Sequence, residues 1–369
     1  MSDPEIRFLT DQTGARVAYA VHGTGPVLMC PAWWVSHVEQ DWSLDVFRAF
    51  FEQLGQHFRV VRYDRPGTGL SDRKVPARTL PDEVDLLGRV LDAVGVDSCS
   101  LLAISCAGPV ALSFAANHPQ RVDKICFYGS YVVGRDIGTD DVKDAIRALV
   151  KAHWGLGSRA LSDIFVPDGG ADIQAMFVAQ QQASADAARA HDLLSLTYEM
   201  DASDAAKSVT ADCMLLHRRG DRAIPFECGR QLAAALPSAR LVTLEGRAHL
   251  PWIDGDDVVK QVVSFLTDRP TTDGRSRTNA AFAFDPANRQ LIVSGEEIPL
   301  TPLEFGVFEV LVSAGDRVVT RDELLQGVWK QPFEGSNKVD VVIRSLRKKL
   351  GSHRDAIETV TGHGYRLRE

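Results

Sequence analysis

The stretch SLLAISCAGPVAL (residues 100–112) decides the fold class of this chain. Its first half is an apolar run typical of a buried β-strand, and its second half predicts the start of a helix. Ser105 stands at the junction, where a sharp turn between strand and helix would expose its hydroxyl above the sheet. A serine hydroxyl becomes a nucleophile when a base and an orienting acid lie beside it.

The strand–helix order repeats on both sides of this stretch. Apolar strand-like runs occupy residues 27–30, 58–64, 99–105, 123–129, 213–218 and 240–246, with helical patterns such as 107–119 and 227–237 between them. Continuously apolar strands that alternate with helices predict a mostly parallel sheet covered on both faces. Residues 131–207 are rich in helical patterns and lack a clear strand. We expect them to form a cap over one end of the sheet.

A base and an acid follow two of the later strands. Asp221 lies in HRRGDRAIPF, and His249 lies in EGRAHLPW. Ligands bind open α/β sheets at the carboxyl ends of the strands, where Ser105 is also expected. The sequence therefore predicts a Ser105–His249–Asp221 triad. The alternative interpretation is that Ser105 is an inert turn residue and that Asp221 and His249 are ordinary loop residues.

Residues 15–267 resemble an α/β-hydrolase. YDRPGTGLSD (63–72) is similar to the family's Asp-x-x-Gly-x-Gly-x-Ser-Asp loop, and CPAWWVSHVEQDW (30–42) lies where the family has its oxyanion loop. The resemblance implies that the backbone N–H groups of Trp33 and Cys106 stabilise an oxyanion.

Two departures from the family pattern bear on catalysis. Ala103 and Ala107 stand where the nucleophile motif usually has Gly, and Cys30-Pro31-Ala32 replaces His-Gly in the oxyanion loop. An added methyl disfavours positive φ and very close packing. We expect a reduced catalytic rate and an unchanged fold.

Five aromatic residues are candidates for the wall of a ligand pocket under the cap. They are Trp33, Trp34, Trp154, Tyr198 and Trp252. Their alternative role is as ordinary core residues.

The stretch RPTTDGRSRT (269–278) is polar and predicts a linker between two domains. We therefore expect an α/β-hydrolase-like domain at 1–268 and a second domain at 279–369. After the linker, short β-like runs precede helices at 302–314, 321–329 and 337–350, and a hairpin fills 356–368. This order predicts a small α+β domain.

Charge is unevenly distributed between the two parts. The net charge of −8 lies entirely in the first 270 residues, which hold 27 basic and 35 acidic residues. Residues 336–350 hold five basic residues against only Asp340. A basic stripe on one helix face suits a DNA major groove, although a solvated helix face has the same pattern.

Three motifs strengthen the DNA interpretation. The segments 300–329, 339–351 and 357–367 resemble the winged helix-turn-helix effector domain of OmpR/PhoB-type regulators. The resemblance implies that 321–329 is the supporting helix, 337–350 the recognition helix and 359–366 the wing. The implied DNA-binding residues are Asn337, Lys338, Val341, Arg344, Ser345, Arg347, Lys348, Thr361, His363, Tyr365 and Arg366. Thr361 stands where the family usually has Arg, and no part of the chain resembles a receiver domain.

The remaining features bound the function. No run is long and apolar enough to span a membrane, the first 20 residues lack the pattern of a secretory signal, and the six cysteines are scattered. We expect a cytoplasmic regulator without a metal or cofactor. Expected partners are double-stranded DNA with direct repeats, a small molecule, RNA polymerase and a second copy of the chain.

Two functional classes remain open. In the first, the hydrolase-like domain senses an ester, lactone or aromatic compound, and it also hydrolyses that ligand slowly if the triad works. In the second, the protein is a serine hydrolase that carries a DNA-binding domain. The sequence identifies neither the ligand nor the target promoter, and it does not separate activation from repression.

Overall fold

The computed structural model describes residues 3–267, 277–278, 282–285, 290–293, 296–314, 318–325, 328, 338–360 and 363–367. The chain divides into two compact units, Met1–Arg269 and Pro270–Glu369. The expected linker at 269–278 lies outside the described residues except for its last two positions. Within the described residues no helix is long and apolar enough to cross a membrane.

The first unit is built on one eight-stranded sheet. Its strands are β1 (Glu5–Thr10), β2 (Arg16–His22), β3 (Val27–Cys30), β4 (Arg59–Tyr63), β5 (Cys99–Ile104), β6 (Val122–Tyr128), β7 (Asp212–Arg218) and β8 (Ala239–Leu244). The spatial order is β1-β2-β4-β3-β5-β6-β7-β8. The β1–β2 and β2–β4 pairs are antiparallel, and every other pair is parallel. The prediction of a mostly parallel sheet is confirmed.

Helices cover both faces of this sheet. In chain order the α-helices of this unit, including those inserted between β6 and β7, are α1 (Asp45–Gly55), α2 (Leu80–Val94), α3 (Ala107–Asn117), α4 (Asp140–Ala152), α5 (Trp154–Phe165), α6 (Gly170–Ser184), α7 (Ala187–Glu199), α8 (Ser203–Lys207), α9 (Phe226–Ala235) and α10 (Asp256–Thr267). Along β5, Leu101 and Ala103 belong to one buried cluster while Leu102 and Ile104 belong to another. Because side chains alternate along a strand, burial on both faces makes its sequence continuously apolar.

The catalytic candidates all follow strands of the parallel part. Ser105 comes directly after β5, Asp221 follows β7, and His249 follows β8. The carboxyl ends of these strands meet at one edge of the sheet. The five helices α4–α8 lie in sequence between β6 and β7, as the expected cap does.

Within its described residues the second unit combines two small antiparallel sheets with three α-helices. Its strands are β9 (Arg277–Thr278), β10 (Phe282–Asp285), β11 (Gln290–Val293), β12 (Glu296–Ile298), β13 (Val319–Thr320), β14 (Ile357–Val360) and β15 (Gly364–Leu367). Its helices are α11 (Pro302–Ala314), α12 (Arg321–Leu324) and α13 (Lys338–Leu350). The β14–β15 hairpin also pairs with β13, so the helices are flanked as in a winged helix. The predicted α+β class is confirmed.

The buried seam of α13 fixes which face of that helix points outward. Val339, Ile343, Leu346 and Leu350 are buried in the core of the second unit. Their spacing of four, three and four residues keeps them on one side of the helix. The opposite side is left for solvent or for a partner.

Glu304 ties α11 to α13 through a network of hydrogen bonds. Its carboxylate accepts hydrogen bonds from Lys349 Nζ at 2.7 Å, Ser345 Oγ at 2.6 Å and Thr301 N at 2.7 Å. Burial raises the pKa of this carboxyl, but the hydrogen bonds from Lys349, Ser345 and Thr301 outweigh burial and hold the pKa at about 2. Glu304 is thus an ionised, fully bonded group that orients α13.

Candidate functional site

The structure brings the three predicted catalytic side chains together in the expected order. Ser105 Oγ lies 2.8 Å from His249 Nε2, and His249 Nδ1 lies 2.7 Å from Asp221 Oδ2. All three residues are buried, with 8%, 2% and 7% of the surface of Ser105, His249 and Asp221 exposed. In this arrangement the imidazole can take the serine proton while the carboxylate holds the ring in the required tautomer. Their catalytic role stays a prediction.

The turn at Ser105 has the strained backbone that aims a hydroxyl away from the sheet. Its φ is 55°, in the left-handed region that residues other than Gly rarely adopt. Ala103 and Ala107 are not among the residues with positive φ. An added methyl therefore causes no backbone strain at either position. The close approach occurs instead at Gly108, where a Cβ would lie 1.8 Å from Ser130 Oγ.

Asp221 holds its own loop as well as the imidazole. Its Oδ1 accepts hydrogen bonds from the backbone N–H groups of Ala223 at 2.9 Å and Ile224 at 3.1 Å. Across the site, a Cβ at Gly129 would lie 3.1 Å from Asp221 Oδ2 and from His249 Cε1. Any larger residue at Gly129 would therefore displace the acid or the base.

A second histidine borders the acid. His217 Nε2 lies 3.7 Å from Asp221 Oδ2 and 2.9 Å from the carbonyl oxygen of Ile224. Burial lowers the pKa of His217, although Asp221 and the Ile224 carbonyl oppose that shift. His217 therefore acts as a neutral support for the Asp221 loop.

Arg65 fixes the peptide unit that carries the Trp33 N–H. Its Nη2 donates a hydrogen bond to the Ala32 carbonyl at 2.5 Å and lies 4.0 Å from Cys106 Sγ. Because a trans peptide directs its C=O and N–H to opposite sides, holding the Ala32 carbonyl also orients the Trp33 N–H. Within residues 3–267 the N–H groups of Trp33 and Cys106 have no protein acceptor. They are available as the two predicted oxyanion donors.

Two chambers meet at Ser105. We call the first the aromatic chamber because Trp33, Trp34, Phe47, Phe165, Phe177 and Trp252 line it. It contains about 520 Å³ of space free of protein atoms, including its mouth. Asp41 and Gln180 also line it, and Gln180 Nε2 donates a hydrogen bond to Asp41 Oδ1 at 2.8 Å. Burial raises the pKa of Asp41 to about 7.

The second chamber lies under the cap and is larger. This cap chamber contains about 1090 Å³ of space free of protein atoms, including its mouth, and its apolar wall includes Ile137, Ile146, Leu161, Ile164, Leu194 and Ile224. Tyr198 contributes to it, and Trp34, Phe165 and Ser105 border both chambers. The nucleophile candidate thus borders both chambers.

Four of the five aromatic residues predicted to line a pocket lie in these walls. They are Trp33, Trp34, Tyr198 and Trp252. Trp154 instead packs edge-on against Trp34 at 6.0 Å and donates from Nε1 to the Ala185 carbonyl. The side chain of Cys106 is fully buried beside Arg65.

Phe165, at the end of α5, is an important residue that the sequence analysis missed. Its ring stacks on His249 with centroids 5.3 Å apart, and its carbonyl accepts a hydrogen bond from the His249 N–H at 2.7 Å. The cap therefore touches the base of the triad directly. No sequence motif identifies Phe165, because an apolar residue in a helical pattern predicts only a core position.

The outward face of α13 carries the predicted DNA-binding side chains that remain exposed. Lys338, Val341, Arg344 and Lys348 are exposed, and Val341 reaches 55% of its maximal surface. An exposed apolar residue flanked by cations suits a groove that offers phosphates and thymine methyl groups. In the hairpin, His363 is also exposed.

Other predicted DNA-binding residues are engaged within the second unit. Arg347 donates to the Ile357 carbonyl and to Thr359 Oγ1, and Arg366 pairs with Glu358. Ser345 donates to Glu304, and the Tyr365 hydroxyl donates to Asp340. The Arg347 and Tyr365 contacts join α13 to the hairpin, the Ser345 contact joins α13 to α11, and the Arg366–Glu358 pair lies within the hairpin. Asn337 and Thr361 lie outside the described residues.

Three family models match consecutive parts of the chain. The model described as "alpha/beta hydrolase fold" matches residues 25–185, and the model described as "TAP-like protein" matches 195–279. The model described as "Transcriptional regulatory protein, C terminal" matches residues 295–367. The first two matches together cover most of the first unit and extend to residue 279, and the third lies within the second unit.

Individual relatives resemble one part of the chain or the other. The putative carbamate hydrolase RutD of Serratia proteamaculans is 27% identical over 213 residues, which are 53% of this chain and 76% of that protein. The transcriptional regulatory protein CutR of Streptomyces coelicolor is 40% identical over 91 residues, which are 24% of this chain. The matched part spans 41% of the length of CutR.

A solved structure supports the fold of the first unit. An esterase from Exiguobacterium antarcticum matches with a TM-score of 0.61 and 19% identity, covering 70% of this chain and 98% of that one. At that identity the likeness shows the fold alone. Taken together, sequence matches and fold show that the chain joins an α/β-hydrolase-fold domain to an OmpR/PhoB-type DNA-binding domain, a combination that supports a transcriptional regulator.

Proposed function

We propose that the protein is a DNA-binding regulator whose α/β-hydrolase-like domain binds a small ester, lactone or aromatic compound and slowly hydrolyses the ester or lactone bond of ligands that carry one. One observation carries the proposal: a hydrogen-bonded Ser–His–Asp set opens into two chambers on the same chain as a basic recognition-helix candidate. A DNA-binding domain is difficult to explain on an enzyme without a link to transcription.

The proposed chemistry follows from the distances at Ser105. Its Oγ attacks the carbonyl carbon of the ligand while His249 Nε2 takes the hydroxyl proton. The resulting oxyanion accepts hydrogen bonds from the N–H groups of Trp33 and Cys106. His249 then returns the proton to the departing alkoxide oxygen, and water hydrolyses the acyl-enzyme with His249 acting as base. Asp221 stabilises the imidazolium in both steps.

The proposed DNA contacts are the exposed groups of α13. Arg344 and Lys348 are proposed to bind base edges or phosphates, with Val341 against thymine methyl groups. Engagement of Arg347 and Arg366 within the domain gives those residues a supporting role. OmpR-type domains commonly bind head-to-tail, so we propose direct repeats, a homodimer formed through the hydrolase-like domain, and contact with RNA polymerase.

A fluorophosphonate probe tests the nucleophile. We expect labelling of the wild-type protein and no labelling of Ser105→Ala, because only an activated serine attacks the probe. The matched control is Ser203→Ala, whose hydroxyl donates to Asp201 and which lines neither chamber. No labelling of the folded wild type would rule out hydrolysis by Ser105.

The second candidate function is a serine hydrolase that carries a DNA-binding domain. The intact hydrogen bonds of the triad favour it. Ligand-dependent operator binding that survives Ser105→Ala would support the regulator, because sensing would not need turnover. Rapid turnover of short-chain esters, without any ligand effect on operator binding, would support the hydrolase.

A further inference from the structure

Arg222 is a cation in the wall of the cap chamber that the proposed chemistry does not use. It follows Asp221 directly and is exposed. The cap chamber is lined by both Arg222 and Ser105. Among the described residues none accepts a hydrogen bond from the Arg222 guanidinium or forms an ion pair with it.

The two chambers differ in charge. The charged residues that line the cap chamber are Lys143 and Arg222, and its wall contains no Asp or Glu. The aromatic chamber has Asp41 and no Lys or Arg. This contrast lies inside a unit whose sequence is acidic overall, so the cationic wall is a local property of the cap chamber.

Lys143 is already bonded, which leaves Arg222 as the available cation. Lys143 Nζ donates to the Arg135 carbonyl at 2.7 Å and pairs with Asp140 Oδ1 at 2.9 Å. A ligand would have to displace these partners to bind Lys143. The Arg222 guanidinium can bind an anion without breaking a protein contact.

The backbone at Arg222 is held in place by the triad itself. Asp221 Oδ1 accepts from the N–H groups of Ala223 and Ile224, so the carboxylate closes a tight turn around Arg222. The other oxygen of the same carboxylate binds His249. The start of the Arg222 side chain is therefore fixed relative to the nucleophile and the base.

From these observations we propose that the natural ligand is an anionic amphiphile: a carbonyl compound with an apolar body in the cap chamber and a carboxylate that pairs with Arg222. Guanidinium and carboxylate match in charge and in hydrogen-bond geometry. The apolar wall of the cap chamber accommodates the chain between the carboxylate and the carbonyl at Ser105. This inference rests on the proposed ligand-binding function and narrows its ligand class.

The test compares two probes that differ only in charge. The first is the mono(4-nitrophenyl) ester of hexanedioic acid, and the second is the same ester with its free carboxylate replaced by a primary amide. Both probes are titrated into full-length Ser105→Ala, a variant that cannot hydrolyse them through Ser105. Quenching of tryptophan fluorescence by the nitrophenyl group reports Kd, because Trp34 borders both chambers.

We expect the acid to bind about three- to tenfold more tightly than the amide, since Arg222 is exposed and solvent weakens the pair. Adding Arg222→Gln should abolish that preference and leave the amide Kd unchanged. The matched control is Arg230→Gln, which removes an exposed cation that pairs with Glu227 outside the chambers. Raising salt from about 20 mM to about 500 mM should reduce the preference in the Ser105→Ala protein.

Three results would overturn the inference: equal affinity for acid and amide, a preference that survives Arg222→Gln, or no binding of the acid at millimolar concentration. Its failure is distinguishable from failure of the proposed function. Fluorophosphonate labelling without an acid preference removes only the ligand class. An acid preference without labelling removes only hydrolysis.

Discussion

The strained turn at Ser105 predicts that replacing the nucleophile candidate by Gly stabilises the first unit relative to replacing it by Ala. Both variants lose the same hydrogen bond to His249, so the comparison isolates the backbone. The φ of 55° is open to Gly and unfavourable for Ala. The backbone is held in this conformation by the Ser105 N–H bond to the Tyr128 carbonyl and the Ser130 bond to the Ser105 carbonyl.

The expected difference follows from two opposing contributions. A residue with a Cβ pays about 1–2 kcal/mol for the left-handed conformation. Gly loses about 0.4–1 kcal/mol through the greater freedom of its unfolded chain. Residue 105 lines both chambers, so the Ala methyl faces open space and gains little from packing. The difference of the mid-values predicts that Ser105→Gly exceeds Ser105→Ala in the free energy of unfolding by about 0.8 kcal/mol.

Urea unfolding followed by tryptophan fluorescence measures this difference, because five of the six tryptophans lie in the first unit. The matched control is Ala107→Gly in the first turn of α3, which should destabilise by up to about 1 kcal/mol because Gly is a poor helix former. Equal stability of the two Ser105 variants, or a more stable Ser105→Ala, would refute the strain argument.

Three further predictions concern the second unit and assembly. Glu304→Gln should lower the free energy of unfolding by about 2 kcal/mol at pH 7. The pKa of Glu304 is about 2 in the folded protein and 4.5 ordinarily, so the advantage of the wild type should persist above pH 5 and shrink as the pH falls toward 2. Urea unfolding of both proteins between pH 7 and about 3.5 measures this change. Arg344→Ala and Lys348→Ala should each weaken operator binding by about 1–3 kcal/mol if the side chain contacts a base, or reduce the dependence of affinity on salt concentration if it contacts phosphate. Gel-shift titration measures both effects, with Arg230→Ala as the control for loss of a positive charge. Unchanged binding by the double variant would contradict the recognition-helix assignment. Residues 1–268 expressed alone should be dimeric by sizing, and a monomer would count against the proposed dimer contact.

Much of the fold was predictable because buried parallel strands have an unmistakable composition. Each of the six apolar runs became a strand of the large sheet. The first hairpin, β1 and β2, was missed. The outer strand β1 is mostly exposed, with Phe8 at 55% of its maximal surface, so its sequence lacks both a continuous apolar run and a clean alternation. Edge strands carry little of the burial signal that identifies central ones.

The triad could be anticipated because its members must follow strands in a parallel sheet. The contacts that support it could not, because they join distant segments through groups without a distinctive residue type. Phe165 reaches His249 from the cap, and Arg65 reaches the Ala32 carbonyl from the loop after β4. In the recognition-helix candidate, the sequence likewise does not show which arginine is free to bind DNA. Arg344 and Arg347 are the same residue type on one helix, but Arg347 donates a hydrogen bond to a carbonyl of β14 and Arg344 is exposed.

The same few contacts that hold the triad can also serve a sensor. The Arg247–Asp168 pair joins the His249 loop to the cap, but both side chains are about half exposed, so the pair contributes at most about 1 kcal/mol. Phe165 contributes through stacking on His249 and through partial burial, which is worth less than the about 1.5–3 kcal/mol of a fully buried aromatic side chain. Phe165 borders both chambers, so under the proposed function a ligand there would lie beside Phe165, which itself contacts His249 and belongs to helix α5. Hydrolysis and sensing would then depend on one contact, so a sensor can retain an intact triad even where its turnover is slow.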